Sequence, residues 1–409
     1  MCSAHAWVIE AAMIQAQEDG THLLLEATCN QVNQAGGYTG LTPAMFRDFV
    51  YRIANELGFD RRRLILGGDH LGPNPWKHLD AKSAMQQAVE MVALYVEAGF
   101  TKIHLDASMR CADDPAILPD ELMASRAVAL CNAAENAQRQ SGSEPILYII
   151  GTEVPAPGGS NHSLDGLEVT SCEAVEHTVA MHGAALHRAG LDAAWERVIG
   201  VVVQPGVEFD HDSVVNYDPA KAHHLQRFLR NHSQLVMEAH SSDYQLPRAY
   251  HELIRDGFSI LKVGPALTFA LRESLYSLAA LERELVPEAV RSNLMETMET
   301  VMLAHPADWQ KYYHGTDEEQ RLLRIYSYSD RIRYYWRLPE PEAAVARLIH
   351  NLLLVNIPET ILSQYCPRQY DEIRAGKLRS NPKAIVISNV RAVLAMYSRA
   401  CLGSTPVTN

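Results

Sequence analysis

The chain has 409 residues with a formal net charge of −13, and is 47% hydrophobic and 21% charged. That balance allows a large folded core and excludes the basic footprint of a nucleic-acid binder. No membrane span is expected, because no apolar run approaches the roughly 18 residues needed. Seven dispersed cysteines without a CxxC pair fit reduced thiols better than a disulfide framework. The first residues lack the charged start and long apolar core of a secretory signal, so a cytoplasmic location is expected.

The elements follow in order. Residues 6–19 predict a helix that starts almost at Met1. His22 to Ala27 is a buried strand carrying Glu26, followed by a loop with Asn30 and the Gly36-Gly37-Tyr38-Thr39-Gly40 turn. Thr42-Pro43 opens a helix to about Leu57, with Thr as N-cap and Pro at the first helical position. Leu64-Ile65-Leu66 then begins an apolar strand that ends in Gly67-Gly68-Asp69-His70 and a Gly-Pro-Asn turn.

The alternation continues. Strands are predicted at 102–108, ending near Asp106, at 145–154, ending in Glu153, and at 197–204, ending in Gln204. Further strands are predicted at 235–240, ending in His240, and at 260–264, with Lys262 and Gly264. Helices are predicted at about 80–98, 120–140, 171–189, 219–231, 246–256 and 268–284. Seven strands each followed by a helix, with no hairpin signal, imply parallel strands. A doubly wound sheet and a (β/α)8 TIM barrel both fit. The barrel is favoured because polar residues recur at nearly every strand end, where a barrel builds its site. No GxGxxG or P-loop follows the first strand. The eighth strand is either Arg331 to Trp336 or a segment before Cys2, and the second option is favoured. Residues 1–286 are assigned to the barrel and 287–409 to a helical extension packed on it.

Three constellations carry chemistry. His70, Glu153 and His240, with Asp69 and Asp106 nearby, would converge at the barrel mouth. Two imidazoles and a carboxylate suit zinc or a similar divalent ion such as manganese, which leaves Asp69 as a general base. Such a metal serves aldol and retro-aldol chemistry. The alternative is a metal-free hydrogen-bonded network. Second, Lys262 and Glu238 would face each other on adjacent strands. The pair would keep the ammonium charged, for structure or substrate anchoring, and argues against a Schiff base. Third, the loops carrying Ser241 and Gly264 occupy the usual phosphate position of barrels, with Arg272 and Arg331 as assisting cations. The Gly36-Gly37 and Gly158-Gly159 loops are either lids or plain connectors.

Several motifs together resemble a known family. They are Cys2-Ser3-Ala4-His5, Glu26-Ala27-Thr28, Gly67-Gly68-Asp69-His70-Leu71-Gly72-Pro73-Asn74, His104-Leu105-Asp106-Ala107-Ser108, Gly151-Thr152-Glu153, Gln204-Pro205-Gly206, Glu238-Ala239-His240-Ser241 and Leu261-Lys262-Val263-Gly264. This set, with Ser329 to Trp336, is similar to the Z-subunit family of D-tagatose-1,6-bisphosphate aldolases (GatZ/KbaZ). The resemblance spans essentially the whole chain. It implies an accessory, non-catalytic subunit that supports a class II aldolase catalytic subunit in carbohydrate catabolism. It also implies an alternative, a metal-dependent ketohexose or ketohexose-phosphate 4-epimerase. Either reading implies a sugar-phosphate ligand contacted by Glu26, Asn30, Asp106, Gln204, Ser241, Lys262, Gly264 and Arg331, and leaves a homo-oligomer open. Gln204 stands where a class II aldolase has a ligating His, so the resemblance points to Glu153 as the replacement. Family members carry a first strand ahead of Cys-Ser-Ala-His, so that strand is expected to be truncated here or to lie upstream of Met1.

Overall fold

The computed structural model describes residues 1–151 and 167–403. Seven strands form one curled parallel sheet. They are β1 (Leu23–Thr28), β2 (Leu64–Leu71), β3 (Lys102–Leu105), β4 (Leu147–Ile150), β5 (Val198–Val203), β8 (Val236–Ala239) and β9 (Ile260–Leu261). Sheet neighbours follow chain order, β1-β2-β3-β4-β5-β8-β9. Between β5 and β8 lies a small antiparallel hairpin of β6 (Glu208–Phe209) and β7 (Val214–Val215). The sequence gives no hairpin signal there, because two-residue strands are too short to show alternation. Asp210 instead shapes the turn, its Oδ1 accepting from the N–H groups of Asp212 and Ser213.

The eighth position is filled differently from a full strand. Among the described residues, the backbone hydrogen bonds that join the two sheet edges run through Met1 and Cys2. Cys2 N–H donates to Val263 O at 2.8 Å, and Glu26 N–H donates to Met1 O at 2.9 Å. The Met1 amino group donates to Leu24 O at 3.0 Å. The fold is therefore an α/β curled, open sheet with a minimal bridge, where the sequence favours a (β/α)8 barrel whose first strand is truncated here or lies upstream of Met1. Arg331–Tyr334 is a short 3-10 turn and not a strand. Asp330, at φ 47°, turns the chain immediately before it.

Helices cover the outside of the sheet. Pro43–Leu57 is capped by the Thr42 side chain, as its sequence predicts, and Ala81–Glu97 is capped by Asp80. Both turn apolar faces inward, with Phe46 and Val50 on one and Met91 and Tyr95 on the other fully buried. The C-terminal part is helical throughout, including Leu294–Ala304, Asp317–Tyr326, Pro339–Leu353 and Pro382–Cys401.

The last of these helices corrects one expectation. By length and composition it is apolar enough to cross a membrane. Its packing explains that composition. It lies against helices Ala6–Asp19 and Pro265–Leu285, with Ile385, Val386 and Val390 buried. Tyr397 OH donates to Ser242 O at 2.9 Å, which ties this helix to the loop after β8.

Candidate functional site

The site grows from β2. Its two central glycines face crowded neighbours. A Cβ at Gly67 would stand 2.8 Å from Glu26 Cγ, so glycine makes room for a buried acid on the adjacent strand. The strand ends in Asp69 and His70, and His70 takes a left-handed backbone at φ 49°. Ser241, just after β8, does the same at φ 50°. Such conformations are unfavourable for residues with a Cβ and concentrate at functional sites.

Four side chains meet here. Asp69, His70, His104 and His240 are buried, and one ligand-type atom from each lies within 4.8 Å of all the others. Outer hydrogen bonds orient the three rings. His70 Nδ1 lies 2.8 Å from Asp106 Oδ2, and His240 Nε2 lies 2.8 Å from Glu238 Oε1. His104 Nε2 lies 2.9 Å from the carbonyl of Gly151. A carboxylate or carbonyl behind a ring takes its N–H, and the other nitrogen then presents a lone pair. His70 Nε2 and His240 Nδ1 accordingly face each other at 3.0 Å. Two nitrogens on a tetrahedral zinc stand roughly 3.3 Å apart, so this donor set fits a divalent cation. His104 Nδ1 is shared, accepting from His70 N–H and lying 3.2 Å from Asp69 Oδ1.

Beneath the cluster lies a buried ion network. Lys102 Nζ donates to Glu26 Oε1 at 2.7 Å and to Glu238 Oε2 at 2.6 Å. Lys262 Nζ donates to Glu26 Oε2 and pairs with Asp69 Oδ1 at 2.8 Å. Its distance to Glu238 is 3.7 Å, so the expected Lys262–Glu238 pair is the looser contact and Lys102 is the tighter partner. Three carboxylates thus share two ammonium groups, leaving one negative charge beside the imidazoles.

The charges shift as this arrangement demands. Burial raises Lys262's cost of ionisation, but Asp69 and Glu26 overcome it and hold its pKa well above the ordinary lysine range. Burial also opposes ionisation of Asp69, yet Lys262 and His70 keep it well below the usual carboxylate range. His70 is raised, because Asp69 and Asp106 outweigh burial. His240 is pushed down to about 4, chiefly by burial, with Glu238 opposing. Lys262 is therefore an ammonium, which speaks against a Schiff-base nucleophile.

The other candidates are distributed around this centre. Asn30, Ser241 and Gly264 line the cavity that opens over Asp69, His70 and His240. Glu26 and Lys262 sit beneath it in the ion network, and Asp106 sits behind His70. Gln204 is turned into its own loop, where its Oε1 accepts from Gly206 N–H at 2.8 Å and Val207 N–H at 3.0 Å. Arg331 is not among the lining residues. Its Nη1 donates to Asp308 O at 2.9 Å, and its guanidinium lies over the Tyr312 ring. Glu153 and the Gly158-Gly159 loop lie outside the described residues. His104 and Lys102 join the site without having been marked by a strand-end position in the sequence. Both lie on the same face of β3 as Asp106 by two-residue alternation, which is the signal that marks them.

Comparison with known proteins places this geometry in context. A family model described as D-tagatose-1,6-bisphosphate aldolase subunit GatZ/KbaZ-like matches residues 1–402. A solved structure of a probable tagatose 6 phosphate kinase from Sinorhizobium meliloti 1021 is 51% identical, covering 98% of this chain and 98% of its own, with a TM-score of 0.90. The fructuronate-tagaturonate epimerase UxaE from Cohnella laeviribosi is 11% identical, covering 97% of this chain and 80% of its own, with a TM-score of 0.49.

Proposed function

We propose that this chain, which belongs to the GatZ/KbaZ-like family of D-tagatose-1,6-bisphosphate aldolase subunits, keeps a divalent-metal site for a ketohexose phosphate within an aldolase assembly. The observation that carries this reading is the facing pair His70 Nε2 and His240 Nδ1, each ring held from behind by a carboxylate. His70, His240 and His104 would hold the ion, with Asp69 beside it. Three imidazoles favour zinc over manganese, which prefers oxygen ligands. When bound, such an ion polarises the carbonyl of the sugar and eases cleavage or formation of the adjacent C–C bond.

The chain's own residues set up the rest. Asp69 remains unprotonated beside Lys262 and can accept a hydroxyl proton at its free oxygen. Its depressed pKa makes it a weak base, suited to orienting that proton. Lys262 and Lys102 hold Glu26, Asp69 and Glu238 in fixed positions. Asn30, Ser241 and Gly264 offer hydrogen-bonding groups on the cavity wall. The class II aldolase catalytic subunit is the partner that this reading supplies.

A second reading, a 4-epimerase that works alone, draws support from the same cluster. A purely structural subunit has no physical use for three imidazoles around one carboxylate. The test is to assay the purified chain, with zinc or manganese added, for interconversion of fructose and tagatose phosphates. A parallel assay measures stimulation of a catalytic aldolase subunit. Stimulation without turnover supports the subunit reading alone. Turnover that is lost in His240→Ala establishes the epimerase. Failure of both overturns the proposal.

A further inference from the structure

The cavity has a second polar wall, contributed by the Arg331–Tyr334 turn, by the residues just after it and by the start of the chain. Arg333, Trp336, Arg337 and His5 all line it, together with Asp69, His70 and His240 on the opposite chemistry. Trp336 is 3% exposed, and its indole Nε1 has no hydrogen-bond partner among the described residues. Arg337 Nη1 is also buried and unpartnered. Buried donors left unmade are unfavourable, so a pair of them on one cavity marks a place where an acceptor would be welcome.

The neighbours strengthen this. His5 Nδ1 accepts from Trp7 N–H at 3.3 Å, so the neutral ring carries its proton on Nε2, a third donor. Arg333 is fixed in place by the carbonyls of Ser329 and Asp330 and by Tyr334 OH. Among the described residues, neither Arg333 nor Arg337 has a carboxylate ion-pair partner. The lining carboxylate on this side, Asp243, accepts at its Oδ1 from the N–H groups of Gly264 and Ala266, which fixes its position in the wall.

We infer that Arg337, Arg333, Trp336 and His5 form an anion subsite that holds the phosphate group of the ligand whose sugar end reaches Asp69, His70 and His240. Two guanidinium groups match the double charge of a phosphate, whereas a carboxylate would carry half of it. Two neutral donors add to the oxygens that remain. The assignment rests on reading the cavity as a sugar site, but the subsite has its own test.

Inorganic phosphate is titrated against the full chain and against Arg337→Met and Trp336→Phe, by calorimetry. The ratio of affinities for a ketohexose 6-phosphate and the unphosphorylated ketohexose is measured on the same three proteins. The expected result is phosphate binding that weakens about 10-fold or more in Arg337→Met, since a hydrogen bond to a charged group carries that much. The phosphorylated-to-neutral ratio should fall by a similar factor. Trp336→Phe keeps the ring and loses only the N–H, and should weaken phosphate less. Arg337→Met, at a partly exposed position, remains informative where Trp336→Phe fails to fold. Phosphate binding that depends on Arg337 without any sugar binding upholds the subsite and overturns the sugar reading. Equal phosphate affinity in wild type and Arg337→Met overturns the subsite, as does tighter binding of malonate than of phosphate.

Discussion

His70 and His240 stand at the ends of two strands far apart in sequence, and their inward nitrogens face each other at 3.0 Å. Each ring is backed by its own carboxylate, Asp106 for His70 and Glu238 for His240. A facing pair of lone pairs is unfavourable unless a proton or a cation lies between them. The negative balance of the network below favours either, raising the proton affinity of His70 and attracting a metal ion alike, and metal titration decides between them.

The first prediction follows from that pair. The wild-type chain should bind one equivalent of zinc, measured by titration with a chromogenic chelator. His240→Ala and His70→Ala should abolish that binding. Asp106→Asn and Glu238→Gln should leave it weakened by about 10–100-fold, the usual effect of removing a partner behind a metal-binding ring. Unchanged zinc affinity in His240→Ala would show that the ion, if bound, sits elsewhere.

The second concerns the ion network. Lys102 is 3% exposed and bridges Glu26 and Glu238. Replacing it by Met leaves three buried carboxylates, Glu26, Asp69 and Glu238, sharing the single ammonium of Lys262. The expected loss is about 3–5 kcal/mol of stability, read by denaturant unfolding. The double variant Lys102→Met with Glu26→Gln should recover part of that loss. A Lys102→Met protein as stable as wild type would mean that the carboxylates already share protons.

Part of this site is legible in the sequence, for a physical reason. Asp69, His70 and His240 stand out because a polar residue at the end of an apolar strand has few uses other than at a mouth. His104 and Lys102 are harder to see. They lie inside a strand, where a lone polar residue reads as an interruption, and only alternation with Asp106 puts them on the same face. The first edge of the sheet was beyond periodicity altogether, since Met1 and Cys2 complete it with backbone groups and no side-chain pattern. The sequence also offers Arg331 as the cation of the extension. The 3-10 turn rotates that side chain onto Tyr312 and leaves Arg333 and Arg337 on the cavity. A single turn of unexpected type decides which arginine faces the ligand, and such turns leave no hydrophobic period to read.

The third prediction tests how tightly the strand ends are packed. A Cβ at Gly72 would stand 1.7 Å from Asp106 O, a backbone atom with no flexible end to move. Gly72→Ala should therefore displace the chain at Asp106 and with it the hydrogen bond that orients His70. About 1–3 kcal/mol or more of stability should be lost, as for other overpacked sites. Zinc affinity should fall together with it. A Gly72→Ala protein with native stability but weaker zinc binding would mean that the strand end shifts without strain.

The last prediction is a pH dependence that lies away from the metal cluster. Asp330 is buried, accepts from Thr268 Oγ1, and has a second carboxylate oxygen without a partner among the described residues. Burial pushes its pKa up to about 7 from an ordinary 3.8, with Arg272 opposing. Between those values the folded chain holds a proton that the unfolded chain has released. The folded state binds more protons there, so unfolding free energy falls as pH rises. This contribution is fully present below about pH 4 and is lost as pH passes through about 7. Asp330→Asn keeps the shape and removes the titration. Urea unfolding of both proteins from pH 4.5 to 8 should show a difference, variant minus wild type, that grows with pH. A difference that stays flat across that range would mean that Asp330 is ionised in the folded chain, with its charge balanced by Arg272.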